Sequence, residues 1–421
     1  MPLPGAACNP RIPRREDVRG AVGTQRRALM APVCSLLLSI LMLSCGGGSQ
    51  STSSSPPPTT PSKYFPYQQG WLGGDSAYSV PLGGGQSLWI LGDTFVGLSN
   101  ATSRTQATTM VHNTIAISTC SSTQSCSWQY YWTGMGTASP GPAFSTGTSD
   151  WYWPNDGFVY NGTLYLALIQ MHSSGTGGAF GFAYSGVQLA SIANYTAPPS
   201  QWSVTYQSLN TGGAAIPGVT IVVAQGPSGN PDPSNPSGAN YAYFFTLIGE
   251  SNPATEYMAL LRLPLSQLNS AARPANSSWE YLQSGSTWAT WPGTQTALPS
   301  DNAVVLSPGA TEMTVRYHSS TNQWIAVYPV GLDNSAYYSL AASMMGPWGQ
   351  SESLYAYPEM QPSNANYTSN VFCYAAKEHT EFEAASQLFF TYACNSLVES
   401  DVTNNMNLYH PVVVTQPLPI K

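Results

Sequence analysis

From Tyr64 onward the apolar positions fall at helical spacing in no segment of the chain. They recur instead as short alternating or wholly apolar runs, divided by clusters of Gly, Pro, Asn and Ser. That is the pattern of strands and turns. Five runs read as the buried middle strand of a sheet: Leu88–Leu91, Leu164–Leu168, Tyr241–Ile248, Trp324–Tyr328 and Leu388–Tyr392. They begin 76, 77, 83 and 64 residues apart, 75 on average. Each follows a shorter run across a turn, at Asp75–Val80, Asp156–Tyr160, Val219–Val223, Glu312–Tyr317 and His379–Phe382. Asn161-Gly162, between the second pair, is the strongest hairpin signal in the chain. Repetition at a long period with about four strands per unit is what a β-propeller requires. A β-sandwich does not account for five similarly spaced hairpins over such a length. The pattern therefore predicts an all-β fold, a five-bladed β-propeller over residues 64–421.

Composition agrees. Of 421 residues only 8% are charged, while 12% are aromatic, with 38 Gly and 34 Pro. So much apolar material excludes a disordered chain, and the scarcity of Lys and Glu argues against a helical bundle. Charge is unevenly spread. Residues 1–45 hold six Arg against Glu16 and Asp17, and the remainder holds seven basic and eighteen acidic residues. A body with so few scattered cations cannot neutralise a run of phosphates, which excludes nucleic acid as a partner.

The leader reads separately from the fold. Arg26-Arg27 precedes the apolar run Ala28–Leu43, which is too short to span a bilayer and ends in Leu43-Ser44-Cys45. That ending resembles the lipobox of bacterial lipoproteins, with Met42 where Leu is usual, and predicts a signal peptide over 1–45 with a lipid on Cys45. Residues 46–63, GGGSQSTSSSPPPTTPSK, read as a Gly/Ser/Pro-rich tether. The expected location is the cell envelope, with the domain held off the membrane by this anchor. Two of the seven cysteines, Cys8 and Cys34, leave with the leader. The four left in the body, Cys120 with Cys126 and Cys373 with Cys394, read as two disulfides formed in an oxidising compartment. No CxxC pair or Cys/His cluster suggests zinc.

In a propeller the innermost strand of each blade lines a central channel. Four of the five runs assigned to that position begin with an ionisable residue: Asp75, Asp156, Glu312 and His379. Converging carboxylates push their pKa values apart, which supplies one acid and one base at the same pH. Taken one by one, each acid also suits a turn cap or an acceptor of backbone N–H groups. Asp93 ends the second strand of the first unit, with no Lys or Arg within ten residues. Aromatics crowd nearby, at Trp71, Tyr78, Trp89, Phe95 and Trp151-Tyr152-Trp153. Ring faces beside acids and amides suit a sugar, although Trp89 and Trp324 read as blade core.

Trp71-Leu-Gly-Gly-Asp75-Ser with Leu88-Trp-Ile-Leu-Gly-Asp-Thr-Phe-Val-Gly97 resembles the opening of a family of five-bladed propellers related to glycoside hydrolases. That family was long grouped as a domain of unknown function and includes endo-D-arabinanases. Trp153-Pro-Asn-Asp-Gly157, Glu312-Met-Thr-Val-Arg-Tyr317, Lys377-Glu-His379, Tyr392-Ala-Cys-Asn395 and Tyr409-His-Pro411 extend the likeness over essentially residues 64–421. The resemblance implies that Asp75 and Asp93 are catalytic. Asp156 and Glu312 would be supporting carboxylates, and Arg316 and His379 charge or substrate-positioning groups. Trp153 and Asn395 fall in the shared motifs and join them as substrate-binding candidates. His379-Thr380 replaces the family's usual His-Pro, and no Arg follows Pro411.

The function expected is an exported glycoside hydrolase acting on a furanose-containing, arabinan-like glycan, as a monomer and without a cofactor. The alternatives are a surface propeller that binds glycan without turnover, and a structural propeller that docks another envelope protein through an exposed apolar patch. Acids meeting His379 on the axis would also suit a central calcium ion, although no acid-rich calcium loop is present. His112-Asn113 and His318 read as structural. The Asn-x-Ser/Thr sequons at Asn100, Asn161, Asn194, Asn276 and Asn366 carry little weight in a bacterial lipoprotein.

Overall fold

The computed structural model describes residues 64–122, 125–175, 181–209, 215–223, 241–249, 256–268, 278–285, 287–292 and 303–420. The expected leader and tether, with Cys45, lie outside them. Blade 1 comprises β1 (Trp71–Gly83), β2 (Gln86–Gly97), β4 (Thr114–Ser122) and β5 (Ser125–Tyr131), and β3 (Ala107–Val111) pairs with the far end of β2. Blade 2 runs β6 (Trp151–Tyr160), β7 (Thr163–Ser173), β8 (Phe182–Ile192) and β9 (Val204–Ser208). Blade 3 runs β10 (Ala215–Val223), β11 (Tyr241–Gly249), β12 (Glu256–Pro264), β13 (Glu280–Ser284) and β14 (Thr287–Thr290). Blade 4 runs β15 (Thr314–His318), β16 (Gln323–Pro329), β17 (Ser335–Ala341) and β18 (Glu352–Ala356). Blade 5 has β19 (Val371–Glu378), β20 (Gln387–Ser396) and β21 (Pro411–Pro417). The inner strands β1, β6, β10, β15 and β19 touch in turn, and β19 and β20 return to β1. The ring of five blades is closed.

The five apolar runs are the second strands, β2, β7, β11, β16 and β20. Each is covered on both faces by the neighbouring blades, so alternation gives way to continuous apolar sequence. Leu88, Trp89, Ile90 and Leu91 are all fully buried. The seam between blades 4 and 5 buries Ile325, Val327, Leu388 and Phe390 in one cluster. Both expected disulfides form between facing residues of adjacent strands, Cys120 with Cys126 across β4 and β5 and Cys373 with Cys394 across β19 and β20.

The inner strands depart from the sequence expectation in one respect. The acids do not begin them. Asp75 and Asp156 lie within β1 and β6, where the register slips between Gly74 and Ser76 and between Pro154 and Gly157. The fifth inner strand is Val371–Glu378, not His379–Phe382, because Thr380–Phe382 is a 3-10 turn that follows it. Bulges turn a strand locally and re-aim its side chains. Ser76 and Ala77 take left-handed φ of 65° and 61° in the β1 bulge, and Ala375 takes 61° in a third bulge, in β19 between Tyr374 and Lys377.

The closing seam between blades 1 and 5 is clasped by Arg104, which is 2% exposed. Its guanidinium donates to the carbonyls of Leu72, Val402, Asn405, Leu408 and Tyr409 and to the Tyr67 hydroxyl. Carbonyl oxygens thus replace a carboxylate partner, and the buried cation is stabilised by these hydrogen bonds, with the Tyr67 and Phe95 rings 5.9 Å from it.

Candidate active site

The bulge in β1 and the later part of β2 bring Asp75 and Asp93 to the same end of the hub, where blades 1, 2, 4 and 5 all contribute. Asp93 lies within β2, which runs on to Gly97, and does not end it as the apolar run suggested. Asp75 Oδ2 accepts hydrogen bonds from the hydroxyls of Tyr374 (2.6 Å) and Tyr409 (3.2 Å), both from blade 5. Burial, then the charges of Asp93 and Glu312, push its carboxyl up from 3.8 to about 8. The Tyr374 hydrogen bond and the Lys377 charge act in the opposite direction, and they are outweighed. At neutral pH Asp75 therefore carries a proton.

Asp93 sits in a different setting. Its Oδ1 faces His112 Nδ1 at 2.9 Å and accepts from Trp153 Nε1 at 2.8 Å. The imidazole stacks on Trp151 at 4.5 Å, and Trp153 meets Trp151 and Phe182 edge-on. These partly exposed rings make an aromatic shelf beside Asp93.

Glu312, just before β15, pairs with Lys377 Nζ at 2.7 Å. Lys377 has no exposed surface. Its ammonium also donates to the carbonyls of Ser76 (2.7 Å) and Ala375 (3.2 Å), and it lies 4.5 Å from the Tyr78 ring centre. Burial pulls the ammonium below its ordinary value, and the charges of Glu312 and Asp75 work against that fall. One cation thus ties the β1 and β19 bulges together beneath Asp75.

The other residues singled out by sequence divide. Asp156 is fully buried and already accepts from Gly157 N, Thr220 Oγ1, Ile221 N and Arg316. The Asp156–Arg316 pair joins blades 2, 3 and 4 below the site and offers no free oxygen. Asn395 hydrogen-bonds Tyr374, which in turn holds Asp75. His379 requires a correction. It is 1% exposed, with Nδ1 on Ser79 Oγ (2.7 Å) and Nε2 on Thr391 Oγ1 (2.8 Å). Burial first, then Lys377 and Arg316, push its pKa well below the usual imidazole range. A neutral ring with both nitrogens engaged cannot position substrate, nor turn to the axis as a calcium ligand.

Five residues of the site were not proposed from sequence: His112, Phe182, Tyr374, Lys377 and Tyr409. Lys377 and Tyr409 did fall in the motifs Lys377-Glu-His379 and Tyr409-His-Pro411. His112 read as structural, a role the structure gives to Asn113, whose amide bonds the backbone of Phe144 and Tyr152.

Chemically, the arrangement offers a protonated carboxyl, a second carboxylate beside it, and ring faces for a sugar. Solved structures with this architecture include a Bacteroides ovatus protein described as a candidate hydrolase. It is 15% identical, with a TM-score of 0.58 over 82% of this chain and 86% of its own. The xylan β-1,4-xylosidase of Bacillus halodurans is 12% identical at a TM-score of 0.42, over 84% of this chain and 54% of its own. The exo-β-1,3-galactanase of Phanerochaete chrysosporium is 13% identical at 0.42, over 82% of this chain and 61% of its own. This chain thus spans little more than half of the last two enzymes, and at such identities the likeness is one of fold. No curated protein matches the sequence. A family signature does, over residues 60–414, and the chain accordingly belongs to the DUF5005 family, a domain of unknown function.

Proposed function

We propose that the protein is an exported glycoside hydrolase that cleaves a furanose-containing, arabinan-like glycan with Asp75 and Asp93. One observation carries the reading: Asp75 is held protonated near neutral pH next to a second carboxylate that has N–H partners. Two carboxyl groups in contrasting environments are the requirement for glycosidic cleavage. Tyr374 and Tyr409 both donate to Oδ2 of Asp75, which leaves Oδ1 to bear the proton. Asp75 gives that proton to the leaving oxygen. Asp93, oriented by His112 and Trp153, attacks the anomeric carbon or activates the water that does so. Trp151, Trp153 and Phe182 offer faces to the sugar's C–H groups.

The same proposal places the domain in the cell envelope as a monomer, tethered through a lipid on Cys45 and residues 46–63. The run Ala28–Leu43 with its upstream arginines supports it. The aromatic shelf would equally serve a propeller that binds glycan without turnover, and turnover separates the two. The test is to incubate the purified protein with arabinans and other furanosides and chromatograph the products. Oligosaccharides released by the wild type and absent with Asp75→Asn and Asp93→Asn support the hydrolase. Retention of glycan without any release supports the binding module.

A further inference from the structure

The hub has a second cluster of ionisable groups that the proposed reaction does not use. Along β15 and β19 it lies beyond Arg316 and Lys377, at the strand ends away from Asp75. His318 closes β15, Glu378 closes β19, and Glu383 follows the 3-10 turn after β19. From Thr314 to His318 is four residues of strand, roughly 13 Å at about 3.3 Å each, so this cluster lies at the other end of β15 from Glu312.

We propose that His318, Glu378 and Glu383 bind a first-row divalent cation such as Mn2+ or Zn2+. A ligand atom from each of the three lies within 4.8 Å of the others. His318 Nε2 faces Glu378 Oε1, and His318 Nδ1 is 3.6 Å from Glu383 Oε2. Glu378 is 1% exposed, yet no N–H or hydroxyl donor reaches its Oε2, and the side chain that meets its carboxylate is a second carboxyl group, Glu383. A buried carboxylate oxygen without a donor is costly, and a cation removes that cost. Arg316 is felt by Glu378 through its charge, but its hydrogen bonds go to Asp156, Thr220 and the Val315 carbonyl and not to this cluster. One imidazole nitrogen with two carboxylates is a mixed nitrogen–oxygen set, which suits Mn2+ or Zn2+ better than Ca2+, whose sites are built from six to eight oxygens. The ion would clamp blade 4 to blade 5, so its effect is on stability rather than on the chemistry at Asp75.

The test uses the full chain, stripped with chelator and titrated calorimetrically at pH 7.5 with Mn2+ and Zn2+ separately, with Ca2+ as a comparison. One ion per chain should bind, and the melting temperature should rise with it. Glu383→Gln, at a partly exposed position, should weaken binding at least tenfold and abolish the rise. His318→Gln, with its fold checked by circular dichroism, should do the same. No saturable binding by wild type, binding of Ca2+ alone, or unchanged affinity in Glu383→Gln would overturn the assignment.

Discussion

Gly92 lies against the carboxyl group of Asp75, so that a Cβ at position 92 would sit 2.4 Å from Asp75 Oδ1. The Gly92-Asp93-Thr94 stretch of β2 therefore does two things. It presents Asp93, and it leaves the space in which the Asp75 side chain rests.

Gly92→Ala should displace the Asp75 carboxyl and cut turnover by about 100-fold or more, since small misplacements of a reacting group are that damaging. The cost in stability should be only about 1–3 kcal/mol, the usual penalty of overpacking. Rates on a cleaved furanoside together with urea unfolding check both parts. A fully active Gly92→Ala enzyme would mean that Asp75 is not the acid.

Asp75→Asn and Asp93→Asn should each lower the rate by about 10²–10⁴-fold, the range of a positioned acid or base. The linkage sign for Asp75 follows from its raised folded value. The stability it contributes is fully present below its ordinary 3.8 and is lost as pH rises through about 8. Asp75→Asn should therefore gain stability relative to wild type across that window, read as a melting-temperature difference that grows with pH.

The basic limb of the wild-type pH–rate profile should fall near the pH at which Asp75 loses its proton, about 8. The Tyr374 hydrogen bond lowers that value. Tyr374→Phe should thus move the basic limb to higher pH while leaving the enzyme folded. A limb that stays in place, or moves down, would separate Tyr374 from the acid.

Arg104→Ala strips donors from five backbone carbonyls at the seam of the ring. Unsatisfied buried acceptors cost about 1–3 kcal/mol each, partly recovered by water. The net loss should be about 3–5 kcal/mol in chemical denaturation. Arg104→Lys should recover little of it, because one ammonium cannot reach the carbonyls that the planar fork reaches.

The blade count and the second strands were legible because burial on both faces writes itself as continuous apolar sequence at a regular period. Leu88–Leu91 and Leu388–Tyr392 were readable for that reason. The disulfides were legible from cysteine count alone. Asp93 stood out because an acid ended an apolar run without a local partner. His379 misled because the short run His379–Phe382 precedes the apolar run Leu388–Tyr392 across a turn and so read as the inner strand. The chain instead bends into a 3-10 turn there, and the ring fills a gap between Trp89 and two hydroxyls.

By itself the sequence determined the five-sheet architecture and the cysteine pairs, since each depends on local pattern or count, while the pairing of Asp75 with Asp93 came from the resemblance of their motifs to a family. Only the tertiary structure decided what each ionisable residue does. Tyr374 and Tyr409 reach Asp75 across 299 and 334 residues of chain, and Arg316 reaches Asp156 across 160. Protonation is set by burial and by the charges that ring closure brings together, and neither is written in any stretch of neighbouring residues.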